Sequence, residues 1–140
     1  MMKYRGLGLG MICAVILTAC DDKPANSLIG KWKSDADKTL ASMRSMKDIP
    51  DEAKAYFEDH FFGRLTIEYK PKTYSAILEG EEGIKPDEFP YRIVEETDDY
   101  YIVESELLGA KFNKKLFKDH DCYYELTSEW SFREYFCRVH

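Results

Sequence analysis

The residue types that most often perform chemistry are thinly spread along this chain. Three histidines, His60, His120 and His140, fall on a helical stretch, in a turn segment and at the last position. None has a second ligand at the spacing a zinc site uses, so they read as solvated or edge-packed side chains. Asp119-His-Asp121 and the run Glu95-Glu96…Asp98-Asp99 offer oxygens to calcium. Neither has the Asp-x-Asp-x-Asp-Gly order of a dedicated loop, and charged turn residues explain both. Serines 34, 42, 45, 75, 105, 128 and 131 have no base at a recognisable spacing. There is no Gly-x-Ser-x-Gly elbow, no phosphate-binding glycine loop and no His-Glu-x-x-His. Paired carboxylates discriminate nothing in a chain with 26 acidic residues. Nothing argues for an enzyme, and no catalytic residue, metal or cofactor is expected.

Cysteine is the next nucleophile to place, at positions 13, 20, 122 and 137. The first two lie in a distinctive segment. Lys3 and Arg5 precede an apolar run, Leu7–Leu17, and no acidic residue occurs before Asp21. The run is too short to span a bilayer, which takes about 20 apolar residues. A basic start, a short apolar stretch and small residues at its end make a secretory signal; a buried core helix or an anchor helix is the plainer alternative. Leu17-Thr-Ala-Cys20 resembles the lipobox of bacterial lipoproteins. The resemblance implies cleavage after residue 19 and acylation of Cys20 on its sulfur and amine. Two or more chains give firm attachment where one gives only marginal binding. Asp21 beside the lipidated position implies retention at the inner membrane, on its periplasmic side. Residues 20–27 then read as a polar tether whose last seven residues reach at most roughly 25 Å, holding a single domain, residues 28–140, near the bilayer.

With Cys13 lost to the signal and Cys20 to lipid, Cys122 and Cys137 remain, and an oxidising compartment allows them one pairing. A disulfide closing about 15 residues stabilises by roughly 3 kcal/mol. A catalytic thiol or metal pair is the alternative, without a Cys-x-x-Cys spacing to support it.

The elements that must position these residues follow from periodicity. Leu28–Ser34 is a first strand candidate. Ser34-Asp-Ala-Asp37 resembles a capping box, followed by Ala36, Leu40 and Met43 at helical spacing. Pro50-Asp-Glu52 starts a second helix with Ala53, Phe57 and Phe61 in one stripe, and Gly63 is placed to stop it. From Leu65 onward the period becomes two. Runs at 65–69, 74–78, 91–96, 100–107, 111–118, 122–127 and 131–139 are separated by turn residues. This spacing predicts an α+β fold: an N-terminal strand, a two-helix insertion, then a curved antiparallel meander of about six to eight strands, open or closed as a small barrel. A hairpin centred between Glu129 and Trp130 sets Cys122 opposite Cys137, with Cα atoms about 4.5–5.5 Å apart. The same register pairs Tyr123 with Phe136 and Tyr124 with Tyr135, and sets Glu125 unfavourably against Glu134.

Gly30-Lys-Trp32 on the first strand is similar to the Gly-x-Trp signature of lipocalin-like barrels. The resemblance implies that Trp32 closes the barrel base under a basic residue of the last strand, Arg138 or else Arg133. It also implies a binding scaffold, although the two-helix insertion departs from the ordinary lipocalin plan. Aromatics on the strand candidates supply core; the alternative is an aromatic-lined ligand pocket formed by Tyr69, Tyr74, Tyr101 and Phe112. The formal net charge is −6 and becomes −8 when Lys3 and Arg5 leave. That balance argues against nucleic acid and against docking on anionic headgroups. The expected function is non-catalytic binding at the membrane surface, of a small apolar ligand or, alternatively, of a basic envelope protein by an inhibitor or immunity-type partner.

Overall fold

Runs of period two recur eight times between residues 28 and 140, the part of the chain described by the computed structural model. The segments expected to be signal peptide and tether, with Cys20 and Asp21, lie outside the described residues. The strands are β1 (Gly30–Ser34), β2 (Leu65–Tyr69), β3 (Thr73–Leu78), β4 (Phe89–Glu96), β5 (Tyr100–Leu107), β6 (Ala110–Asp119), β7 (Cys122–Leu126) and β8 (Arg133–Arg138). Helices α1 (Ala36–Ser45) and α2 (Asp51–Glu58) sit between β1 and β2. Consecutive strands pair antiparallel and β8 returns to β1, so the expected α+β meander is a closed barrel.

Residues directly opposite one another share a face, and alternate residues point the other way. Trp32 opposes Ile67, Tyr69 opposes Tyr74, Tyr101 opposes Leu116 and Tyr123 opposes Phe136. These residues turn inward and form the principal core with Leu28 and Val103. Each large side chain buried there contributes roughly 1.5–3 kcal/mol. A second core, Met43, Ile49, Phe62 and Phe132, lies between the helices and the β7–β8 connection, walled by Phe57 and Trp130.

Helix α1 takes over from β1 along the edge of β8. The β1–β8 ladder ends at Ser34 opposite Phe136, and Asp35 N–H then donates to the Tyr135 carbonyl at 2.8 Å. Beyond that point Thr39 Oγ1 accepts from Tyr135 N–H and Ser42 Oγ from Arg133 N–H, each at 3.0 Å. Side chains three apart on a helix face thus meet backbone groups two apart on a strand. The edge of β8 is satisfied without a strand beside it.

Two expectations are corrected here. Ser34 does not cap α1: Asp35 does, its carboxylate accepting from Lys38 N–H at 2.9 Å, while Ser34 Oγ accepts from Gly63 N–H at 2.9 Å. Gly63 does not stop α2, which ends at Glu58. It has φ +87° and packs so closely on Ala36 that a Cβ would stand 3.1 Å from the alanine Cβ. Its role is close approach rather than capping.

Candidate functional site

The two ends of the barrel are built differently. At the base, Trp32 Nε1–H donates to the Leu28 carbonyl at 2.8 Å, and the Arg138 guanidinium lies 4.2 Å over the indole while donating to the Ile29 carbonyl at 3.1 Å. The basic residue over Trp32 is therefore Arg138; Arg133 lies over Tyr124 instead, at 4.7 Å. Gly30 gives that crossing its room: its φ is +137°, and a Cβ there would meet Arg138 Nη1 at 2.6 Å. The Gly-x-Trp pattern thus has a physical reason in this chain. On the outer face of β7–β8, Cys122 and Cys137 are directly opposed and joined by a disulfide.

Above this base the aromatic side chains form a floor. Tyr69 and Tyr101 are buried, and Tyr74 packs partly buried against them. Ring centroids lie 5.8 Å apart for Tyr69–Tyr74, 5.1 Å for Tyr69–Tyr91 and 5.0 Å for Trp32–Tyr123. Burial raises the Tyr101 hydroxyl pKa to about 12 and lifts that of Tyr69 further. Of the four aromatic residues singled out in the sequence, three belong to this packed layer. Phe112 stands apart, half-buried on β6 opposite Ser105.

Toward the helical end the barrel loosens. β3 pairs with β4 only at Thr73–Pro90 and Tyr74–Phe89, and β6 with β7 only from Phe117–Tyr124 to Asp119–Cys122. Two clefts enter there. One, ≈ 690 Å³, lies beneath α2 among Ser34, Tyr56, Phe61, Leu65, Leu78 and Glu134. The other, ≈ 620 Å³, occupies the splay between β6 and β7 among Asn113, Lys114, Glu125, Leu126, Thr127 and Glu134. Glu134 lines both. Tyr56 and Phe61, 65% and 50% exposed, give the first cleft an apolar rim.

The polar groups at this meeting point come from the inner faces of β6, β7 and β8. Glu125 and Glu134 are directly opposite one another, in the register read from the sequence. Lys114 Nζ approaches Glu125 to 3.1 Å and stays half exposed. The Glu134 carboxylate makes no hydrogen bond or ion pair with the described residues. Its pKa is raised to about 7, first by burial and then by the Glu125 charge, with Lys114 partly offsetting both. One inward position below Glu125 on β7 stands Tyr123, 1% exposed, its hydroxyl raised mainly by burial and then by Tyr69, Glu125 and Glu134. Tyr123 Oη and Thr127 Oγ1 are buried without a hydrogen bond of ordinary geometry. Glu125, Glu134, Lys114 and Tyr123 were not singled out as site residues. The one signal for them was the opposed glutamate pair, which reads locally as a cost.

His120 pairs with neighbouring Asp119 at 2.8 Å in the exposed β6–β7 turn, away from the mouth, while His60 borders the cleft beneath α2. Among the described residues no group of three or more His, Cys, Asp or Glu side chains is arranged to hold a metal ion. The fold and its base define an eight-stranded antiparallel barrel compatible with a lipocalin-like small barrel. Comparison with protein-family models, with curated proteins and with solved structures finds no match for this chain.

Proposed function

We propose that this protein is a non-catalytic small-ligand binder, held at the periplasmic face of a membrane by lipid on Cys20, with its site in the barrel mouth. The observation that carries the binding role is the position of Glu134 on the inner wall, where it borders both clefts. The two clefts thereby meet at one side chain above a closed aromatic floor, each of the size small-molecule sites use. Leu65, Leu78, Tyr56 and Phe61 supply apolar wall and rim. Glu134 and Glu125 supply converging carboxylates at depth, with the buried Tyr123 one inward position below Glu125 on β7. The attachment itself rests on the lipobox-like Leu17–Cys20 segment.

A basic protein partner calls for a contiguous acidic face, and the described surface favours it less. Glu58, Glu88, Glu96, Glu104 and Glu125 each have a lysine or arginine against them. The test for small-ligand binding is a neutral, environment-sensitive dye, Nile red, titrated into the full chain. One-to-one enhancement is expected in the wild type and is lost in Leu78→Trp, which fills the cleft under α2 from a position already 38% exposed, while circular dichroism stays unchanged. Enhancement that survives Leu78→Trp, or is missing from the wild type, counts against a ligand site in the mouth.

A further inference from the structure

The charge and hydrogen-bonding inventory at the depth of the mouth narrows the ligand class. Glu134 and Glu125 present carboxylates to one another across the β7–β8 ladder. The lysine beside them, Lys114, is half exposed and ion-pairs with Glu125 at 3.1 Å, acting on Glu134 through its charge alone and without a direct contact. Beneath the pair is Tyr123, almost wholly buried, its hydroxyl lacking a proper hydrogen bond. Its O–H is directed to the Tyr69 oxygen outside ordinary hydrogen-bond geometry, and its lone pairs accept from no donor among the described residues. A buried polar group left unsatisfied costs about 1–3 kcal/mol, so the arrangement is incomplete as it stands.

An ammonium group carries three donors and no acceptor. One oxygen each from Glu134, Glu125 and Tyr123 would satisfy all three, leaving the Tyr123 O–H free to donate to Tyr69. A carboxylate ligand would instead add a third negative charge beside the pair, and an alcohol would bring no positive charge to Glu134, whose carboxylate has no ion pair of its own. The wall and rim of the cleft under α2 are apolar and aromatic: Leu65, Leu78, Tyr56 and Phe61. Building on the ligand-binding role above, we infer that the mouth takes apolar or ring-bearing amines, whose ammonium sits between Glu134 and Glu125 over the Tyr123 hydroxyl.

The test is isothermal titration calorimetry of the full chain with three probes of nearly one shape: phenethylamine, phenethyl alcohol and hydrocinnamate. The amine should bind about tenfold or more tighter than the alcohol, the scale of a charge-assisted hydrogen bond, with hydrocinnamate weakest. Its advantage should widen as pH rises through 7, because the ionised form of Glu134 is the one that pairs with ammonium. The other charged or titratable groups facing that carboxyl are Glu125, Lys114 and Tyr123 within the barrel, with Asp59, His60 and Arg64 at the rim under α2. Glu134→Gln should erase the advantage and leave alcohol affinity within a few-fold. Tyr123→Phe should weaken the amine alone by a few-fold. Equal amine and alcohol binding in the wild type, or an advantage that survives Glu134→Gln, overturns the amine assignment; binding of Nile red in the same preparation leaves the ligand-binding role intact. If neither the three probes nor Nile red binds, both fall together.

Discussion

Glu134 makes the stability of the barrel depend on pH in an unusual direction. Its carboxyl is raised from 4.5 to about 7 in the folded state, mainly by burial and secondarily by Glu125. Between those values the folded chain holds a proton that the unfolded chain has released. Stability therefore falls as pH climbs through this window, and the loss is complete above about 7. At about 1.4 kcal/mol per pH unit, the raised pKa amounts to about 3 kcal/mol. Glu134→Gln keeps the shape and removes the charge. Above pH 7 the variant should be more stable than the wild type by up to about 3 kcal/mol, or roughly 10 °C in Tm. Below pH 4.5 the two should converge, since the wild-type carboxyl is then protonated in both states. Glu125→Gln should recover a smaller part of the difference, because it removes the second cause and leaves burial. Urea denaturation of wild type and both variants across this pH range measures the effect. Parallel pH profiles for wild type and Glu134→Gln, or a variant less stable at every pH, would refute a buried, uncompensated carboxyl at this position.

Three further outcomes follow from the fold. Thr39→Val should cost about 1–3 kcal/mol in denaturant unfolding, because it strips the acceptor from Tyr135 N–H at a buried strand edge; Ser42→Ala, at an exposed bond, should cost less. Replacing Cys122 and Cys137 together by serine should lower stability by about 3 kcal/mol, the value for a loop of this length, and added reductant should then leave the variant's unfolding curve unmoved. Gly30→Ala should destabilise by roughly 1–3 kcal/mol, and Trp32 fluorescence should report the displaced Arg138.

Much of the sheet was legible because its cues are local. Leu65, Ile67 and Tyr69 alternate with polar residues, Lys70-Pro-Lys72 marks a turn, and the cysteine pair fixes the register of the last hairpin. That register also set Glu125 against Glu134. What it lacked was depth: periodicity says which face a side chain occupies and not how far along the barrel axis it lies. Tyr69 and Tyr101 therefore read first as core with pocket lining as the alternative, and the opposed glutamates read as a defect. Barrel closure was open for a similar reason, since it depends on β8 meeting β1 across more than a hundred residues. The cap of α1 failed differently. Ser34 and Asp35 are both good capping residues, and the choice between them is made by Gly63 N–H, a tertiary partner that claims the serine.

The most direct test of a ligand site in the barrel mouth is native mass spectrometry of the full chain isolated from its own cell envelope without denaturation. A discrete small-molecule adduct is expected, released on unfolding, bearing a basic amine and absent from Leu78→Trp. A chain that carries no small molecule and instead copurifies with a basic protein dissociated by salt would contradict it.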